Sequence, residues 1–424
     1  MVICCSCANV QAQDTSSVEL QNSEAPKSKN ETRAGEPIQI GNRFKIKSKI
    51  LDQDREYLVY LPASYHNDRY LQSSYPVLFL LDGELFFHPA SGMVDYMGGL
   101  GGQIPELIVV GVRHENRTHE LTPTKSIHDF RKGKTSPTLS ESGGGEKFLQ
   151  FVTQELMPRI DSDYRTRPFR ILFGHSFGGL LAAHAFLKNQ NEFQAFILAD
   201  PSLWWDERIV LKQLEQTISG GKSERLRCAM FVSRVPTYVS PDNKQTQQGF
   251  ENISESIEGF GQLLQNVKSV RYQLQNFEQR THTSVPIQTL YNGLLHAFEG
   301  YEPRPELFLS PPEKMKQHFR KVSKTVGLEL LPREQLIDMW GNSFLNYDEE
   351  FSQFAIPLFR LNTENYPDSS ASHVSLAEAY AKSGEYHKSR IEFERALQLD
   401  PDNAAAKSGL DELSKQPQQP GRRN

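Results

Sequence analysis

Cysteine is nearly absent from the body of this 424-residue chain: Cys4, Cys5 and Cys7 crowd the first seven residues, and only Cys228 follows. An intrachain disulfide within the folded part is therefore excluded. No run approaches the ~18 apolar residues that a transmembrane helix needs. No basic stripe stands out and the formal net charge is −5, which argues against a nucleic-acid partner. Apolar residues still make up 38% of the chain, enough to build a core, and the length suggests two or three units.

The N-terminus is short of charge as well. Residues 1–12 are small and apolar, and Val10-Gln11-Ala12 sets small residues where a signal peptidase prefers them, but the segment is brief and no basic residue leads it. We read 1–12 as a truncated signal segment of an exported protein, periplasmic or extracellular, with a cytoplasmic location as the alternative. Residues 13–36 are rich in Ser, Glu, Lys and Asn without apolar period, the composition of a disordered linker.

From Ile38 to Tyr301 strand and helix patterns alternate. Segments 44–50 and 55–61 suggest an antiparallel hairpin. Continuous apolar runs at 76–81 and 107–112 read as strands buried on both faces. Further strands are expected at 170–173, 195–199, 226–233 and 269–274, and helices near 146–159, 180–189, 248–267 and 287–298. This alternation predicts an α/β fold, a doubly wound sheet over residues 37–305.

After Pro303, Pro305, Pro311 and Pro312 the pattern becomes helical, with connecting helices over 306–339. Over 340–415, Pro367 and Pro401 are 34 residues apart, as are Phe359 and Phe393, which is the tetratricopeptide period. The first copy carries Pro357 inside its second helix and should be kinked or shortened there. Fewer than three copies cannot close a solenoid, so this all-α unit should pack on its neighbour. Residues 416–424 read as a disordered tail.

The chemistry sits in Gly174-His175-Ser176-Phe177-Gly178-Gly179, a G-x-S-x-G segment entered from Ile171-Leu172-Phe173 and left through 180–187, which hold no Gly or Pro. That is the strand, sharp turn and helix of a nucleophile elbow, where small neighbours leave room for a strained serine. Ser176 is the candidate nucleophile. A serine hydroxyl needs a base, and the chain order on this fold is Ser, acid, His. Of the twelve histidines, His282 lies after the last strand pattern and before a helix, where the fold presents its base. His296 sits mid-helix among apolar neighbours, and His175 is expected to be unable to reach around its own elbow. One oxyanion donor is expected from the Phe177 N–H and a second from Gly83 or Glu84, after the strand at 77–81.

Several strings together resemble one family. They are Leu80-Leu81-Asp82-Gly83-Glu84, residues 104–112 with Asn116-Arg117 and 121–124, the elbow, Asp200-Pro201-Ser202-Leu203-Trp204-Trp205, and 282–286 with 291–294. The chain is similar, from Gly41 to Tyr301, to the bacterial family named putative esterase among the α/β-hydrolases, whose members include siderophore esterases and esterase D-like enzymes. The C-terminal extension also looks like one that some relatives carry. The resemblance implies hydrolysis of a carboxylic ester or thioester of a small molecule through an acyl-serine intermediate, with no metal and no organic cofactor.

It also implies an acid just after the strand ending Phe231-Val232-Ser233, where this chain has no carboxylate before Asp242. Asp242 keeps the topological position, Asp200 follows the preceding strand, and Glu278 lies four residues before His282. These three stay open beside a Ser-His dyad. Arg117 is a candidate for an anionic substrate group or for pairing with Glu120. Trp204 and Trp205 are candidates for an aromatic substrate wall or for the core, and residues 125–145 for a mobile loop over the mouth. The missing acid and the repeats motivate a competing reading: a catalytically degenerate hydrolase fold acting as a scaffold that presents its repeats to a protein or peptide partner.

Overall fold

Alternation along the apolar strands decides how the sheet is covered. A computed structural model describes residues 36–67, 73–99, 101–129, 134–188, 191–235, 244–347 and 349–415. From Ile40 onward the described residues form one compact unit, while residues 36–39 carry no regular structure.

The elements run β1 (Asn42–Ser48), β2 (Gln53–Tyr60), β3 (Tyr75–Leu80), α1 (Gly83–Gly98), β4 (Ile108–Val112), α2 (Arg117–Glu120), β5 (His128–Asp129), β6 (Lys134–Thr135), α3 (Gly145–Phe151), α4 (Met157–Asp163), β7 (Thr166–His175), α5 (Phe177–Lys188), β8 (Ala195–Ala199), α6 (Trp205–Ser219), β9 (Cys228–Arg234), α7 (Lys244–Gln265), β10 (Val270–Asn276) and α8 (Val285–Ala297). Helices α9 (Pro305–Phe308), α10 (Pro312–Val326), α11 (Glu334–Tyr347), α12 (Glu349–Asn365), α13 (Ser370–Lys382), α14 (Tyr386–Leu399) and α15 (Ala404–Ser414) follow. The main sheet has the order β1-β2-β4-β3-β7-β8-β9-β10. The β1–β2 and β2–β4 pairs are antiparallel and the remaining pairs parallel. This is the doubly wound α/β sheet that the alternation predicts.

On β3, Val77 and Phe79 point to one face while Leu78 and Leu80 point to the other, and all are fully buried. Such a run suits a strand covered on both sides. The first face meets Phe148 of α3, Leu180 of α5, Val210 of α6 and Phe260 of α7. The second meets Val94 and Met97 of α1 and Leu290 and Leu294 of α8.

That second core continues into the C-terminal helices. Phe319 of α10, Ile337 of α11, Phe359 of α12 and Leu376 of α13 belong to it, and Phe308 stacks on Trp340 with centroids 4.6 Å apart. Arg333 ties the seam by donating to the Gly98 and Gly99 carbonyls at the end of α1. A separate small core joins Val374 and Ala377 to Phe393, Ala396, Ala406 and Leu413.

Three local outcomes differ from the sequence expectation. Helix α1 is not foreshadowed, because Pro89 and Gly92 look like breakers. Pro89 removes the N–H that would bond the Leu85 carbonyl, and Leu85 is 63% exposed, so the break falls on the outer side of the helix. The helix expected over 146–159 is α3, a π turn at Val152–Leu156 and α4, with Pro158 at the junction. The π turn places Glu155 to cap the β1–β2 turn, accepting the Lys49 and Ile50 amides at 2.8 and 3.2 Å. Pro357 does not shorten α12, which runs 17 residues and is held by buried Ala355, Leu358 and Phe359.

Candidate active site

Three adjacent strands, β3, β7 and β8, each lead into a residue with left-handed backbone: Asp82 (φ 55), Ser176 (φ 58) and Asp200 (φ 41). Such a conformation costs a non-glycine residue on the order of 1–2 kcal/mol and gathers at functional sites. Ser176 occupies the single step between β7 and α5, with its amide donating to the Ala199 carbonyl at 3.1 Å. The glycines around it are sterically required. A Cβ on Gly174 would sit 2.2 Å from the Gly178 carbonyl oxygen, and one on Gly179 would sit 2.8 Å from Pro201. The Ser176 hydroxyl lies 3.4 Å from that of Ser202.

His282, in the loop before α8, sets Nδ1 2.6 Å from Asp200 Oδ2, with the imidazole 47% exposed and the carboxylate 5% exposed. A carboxylate only accepts, so Nδ1 carries the proton and Nε2 is the basic nitrogen. Asp200 is fixed in turn. Its amide donates to the Ser233 carbonyl and hydroxyl at 3.2 and 3.1 Å, and its Oδ1 accepts the Val235 amide at 3.3 Å. Thr289 of α8 donates to the Ser233 hydroxyl at 2.7 Å. Of the three carboxylates weighed from the sequence, the structure brings Asp200 to His282. Asp242 lies outside the described residues, and Glu278 is exposed and makes no contact with His282 among the described residues.

The other histidines take other places. His296 is a packing residue, paired through Nε2 with the Arg271 carbonyl at 2.8 Å, and burial lowers its pKa. His175 reaches His282, its Nε2 lying 2.8 Å from the His282 carbonyl. No hydrogen bond joins His175 to the Ser176 hydroxyl among the described residues; its ring turns to His282 because β7 alternates. Phe169, Ile171 and Phe173 face the side that carries α8, and His175 continues that row.

The two expected oxyanion donors, the Gly83 and Phe177 amides, open α1 and α5. Among the described residues, no hydrogen bond takes up either one, while Leu85 and Phe86 bond back to Asp82 and Leu180 bonds back to Ser176. First-turn amides of this kind favour an anion. Gly83 also lets α1 approach β4, since a Cβ there would lie 2.5 Å from the Gly111 carbonyl carbon.

Behind this corner runs a buried charge network that the sequence did not foreshadow. Arg117 does not pair with Glu120 and spends two of its nitrogens within the fold. Nε and one terminal nitrogen grip Asp82 at 2.6 and 2.9 Å, and the latter also donates to the His175 carbonyl at 3.2 Å. The Asp82 amide donates to His114 Nε2 at 2.9 Å, so His114 carries its proton on Nδ1, toward Glu120 at 3.3 Å. Glu120 forms a bidentate pair with buried Arg55 at 2.7 and 2.8 Å. Burial alone would raise the Glu120 pKa, but the hydrogen bonds from His114 and Arg55 and the Arg55 charge hold it below the usual value.

Trp204 and Trp205 are not a substrate wall. They are 3% and 0% exposed, and Trp205 Nε1 donates to Thr124. Both instead back the Phe177 ring, at 6.2 and 5.3 Å. The 125–145 stretch is pinned at its base, where the Ser126 amide meets the Ser142 hydroxyl at 2.9 Å. Among the described residues, no group of three or more His, Cys, Asp or Glu is arranged to hold a metal ion. No helix among them is long and apolar enough to cross a membrane.

Residues 48–227 match the family model described as "Putative esterase", and residues 370–403 match "Tetratricopeptide repeat". The chain is similar to "Ferri-bacillibactin esterase BesA" of Bacillus subtilis (strain 168), at 31% identity over 160 residues, 35% of this chain and 54% of that protein. It is similar to "Siderophore enterobactin esterase" of Emericella nidulans at 33% over 148 residues, 34% of this chain and 46% of that one. The chain therefore spans about half the length of these curated relatives. The crystal structure of an "IroE-like serine hydrolase" from Shewanella oneidensis shares the fold with a TM-score of 0.65 at 26% identity, covering 77% of this chain and 99% of that one.

Proposed function

We propose, for a chain whose residues 48–227 match the putative esterase family model, that it hydrolyses a carboxylic ester through an acyl-serine intermediate. The observation that carries the reading is the His282–Asp200 pair at 2.6 Å together with a serine in the strained elbow conformation. In this mechanism His282 Nε2 takes the Ser176 proton as Oγ attacks the ester carbonyl. The Phe177 and Gly83 amides receive the developing oxyanion. Asp200 keeps the proton on Nδ1 and stabilises the imidazolium, which then protonates the leaving alcohol, and water repeats the sequence on the acyl-serine.

The names of the relatives direct the substrate proposal to ester bonds of siderophores, and a base that is 47% exposed suits a bulky substrate. The domain reading is part of the proposal: catalysis within 37–305, connecting helices over 306–339, and repeats over 340–415 available to a protein or peptide partner. Export is proposed on Val10-Gln11-Ala12, which lies outside the described residues. The scaffold reading loses its main motive, since a carboxylate does sit on His282.

Turnover of p-nitrophenyl acetate, with fluorophosphonate labelling that Ser176→Ala removes, tests the chemistry. A panel of siderophore, acetyl-sugar, feruloyl and thioester substrates tests the class. Absence of both turnover and labelling in the folded protein would return the scaffold reading.

A further inference from the structure

We infer that His175, the residue before the nucleophile, is a positioning residue for the base: it fixes the His282 backbone through its Nε2–H and walls the His282 ring with its own. The inference deepens the proposed function and rests on its reading of His282 as the base.

His282 stands in an exposed loop whose own hydrogen bonds are local, between Thr281 and Ser284 and between Arg280 and Gln288. Among the described residues, two hydrogen bonds tie His282 itself to the body of the sheet. Asp200 holds Nδ1 at 2.6 Å, and His175 Nε2 holds the carbonyl at 2.8 Å. A side chain fixed at one ring nitrogen still swings as its loop moves. Pinning the backbone as well leaves Nε2 one direction, and misplacing a catalytic group by about 1 Å can cost ~100-fold in rate.

The rings add a second constraint. Their centroids are 4.5 Å apart with the planes tilted by 42°, while Phe86 of α1 meets His175 edge-on at 6.0 Å. Because β7 delivers His175 and Ser176 in consecutive positions, the wall for the base and the nucleophile move as one rigid piece.

The chemistry of the contact selects a neutral imidazole. A carbonyl only accepts, so His175 carries its proton on Nε2. A second cation beside His282 would oppose the imidazolium that forms during turnover. Burial first and the neighbouring His282 second, with the Arg117 guanidinium, lower the His175 pKa to about 4, while the His282 carbonyl bond and the Asp82 carboxylate oppose them. These are the titratable groups that face it. His175 thus stays uncharged wherever a histidine base works.

Two variants separate donor from wall: His175→Phe keeps the ring and loses the N–H, whereas His175→Gln keeps an N–H and loses the ring. We expect His175→Phe to lower kcat about 10- to 100-fold with KM nearly unchanged, and to speed amide exchange over residues 279–284. His175→Gln should recover part of kcat and slow that exchange again. Fluorophosphonate labelling of wild-type Ser176 separates the failures. If wild type is labelled and turns over, but both variants keep wild-type kcat and exchange rates, the positioning role is overturned and the hydrolase reading stands. If folded wild type is neither labelled nor active, the hydrolase reading falls and the positioning role with it.

Discussion

The Asp200 amide donates to both the carbonyl and the hydroxyl of Ser233, at 3.2 and 3.1 Å, so the residue after β8 is clamped by a residue of β9. The register pairs Ala199 with Ser233, which sets the ends of these two parallel strands side by side. Neighbouring strands are about 4.8 Å apart. A carboxylate moved from one strand end to the next stays within reach of a histidine loop that leads into α8, which packs on both. Ser233 on β9 then supports Asp200.

Asp200→Asn should lower kcat by about four orders of magnitude with little change in KM, as expected when the wrong imidazole tautomer is favoured. Asparagine tolerates the left-handed backbone at φ 41, so near-ultraviolet circular dichroism should stay native. Glu278→Gln should remain close to wild type. Steady-state kinetics on an activated ester compares the two, and a mild Asp200→Asn would favour a Ser-His dyad.

Gly83→Ala should hit stability and rate together. The added methyl would meet the backbone of Gly111 and Val112 at 2.5 and 2.6 Å, an overpacking worth roughly 1–3 kcal/mol, and displacing an oxyanion donor costs ~100-fold or more. Gly92→Ala in the same helix meets nothing within 4 Å and should gain about 0.5–1 kcal/mol. Chemical denaturation of both variants checks the contrast.

Acid should destabilise the protein before its ordinary carboxylates titrate. His175 has its pKa lowered from 6.5 to about 4, and burial lowers His184 and His296 too. As pH falls from 6.5 toward 4, the unfolded chain binds protons that the native one refuses. Stability is therefore full above 6.5 and declines through that window. The His175 share is on the order of 2–3 kcal/mol. Melting temperatures of wild type and His175→Phe should converge as the pH is lowered; a gap independent of pH would refute the linkage.

Deleting the chain from Gly384 should leave a soluble protein with near wild-type kcat, because it removes mainly the small core around Phe393 and Leu413. Deleting from Trp340 is a different operation. It strips Phe344, Phe359 and Leu376 from the core shared with α1 and α8 and unstacks Phe308, so that truncation should aggregate even though every candidate catalytic residue precedes Tyr301. Size-exclusion profiles of the two truncations decide; a soluble, active shorter form would show that the shared core is dispensable.

The elbow was legible because Gly174, Ser176 and Gly178 carry a steric requirement that any sequence must write in the same letters. His282 was legible from its place between the last strand and the last helix of the sheet. Asp200 was readable only as one of three, since chain order places an acid in a topological slot whereas the histidine selects it in space. His175 was discarded by its closeness in sequence, although the row Phe169, Ile171, Phe173, His175 held the signal that it faces α8. The Asp82–Arg117 and Arg55–Glu120 pairs were hidden because each joins residues 35 or more positions apart, and no local period records such partners.

The left-handed corners at Asp82, Ser176 and Asp200 also restrict what substitution can do to this site. A β-branched residue is a severe misfit at φ 58, whereas an unbranched one of similar size is not. Ser176→Cys should therefore melt close to wild type and present a thiol, while Ser176→Thr should melt several degrees lower. Although threonine carries the same hydroxyl, the backbone at position 176 then admits cysteine in place of serine more readily than it admits threonine.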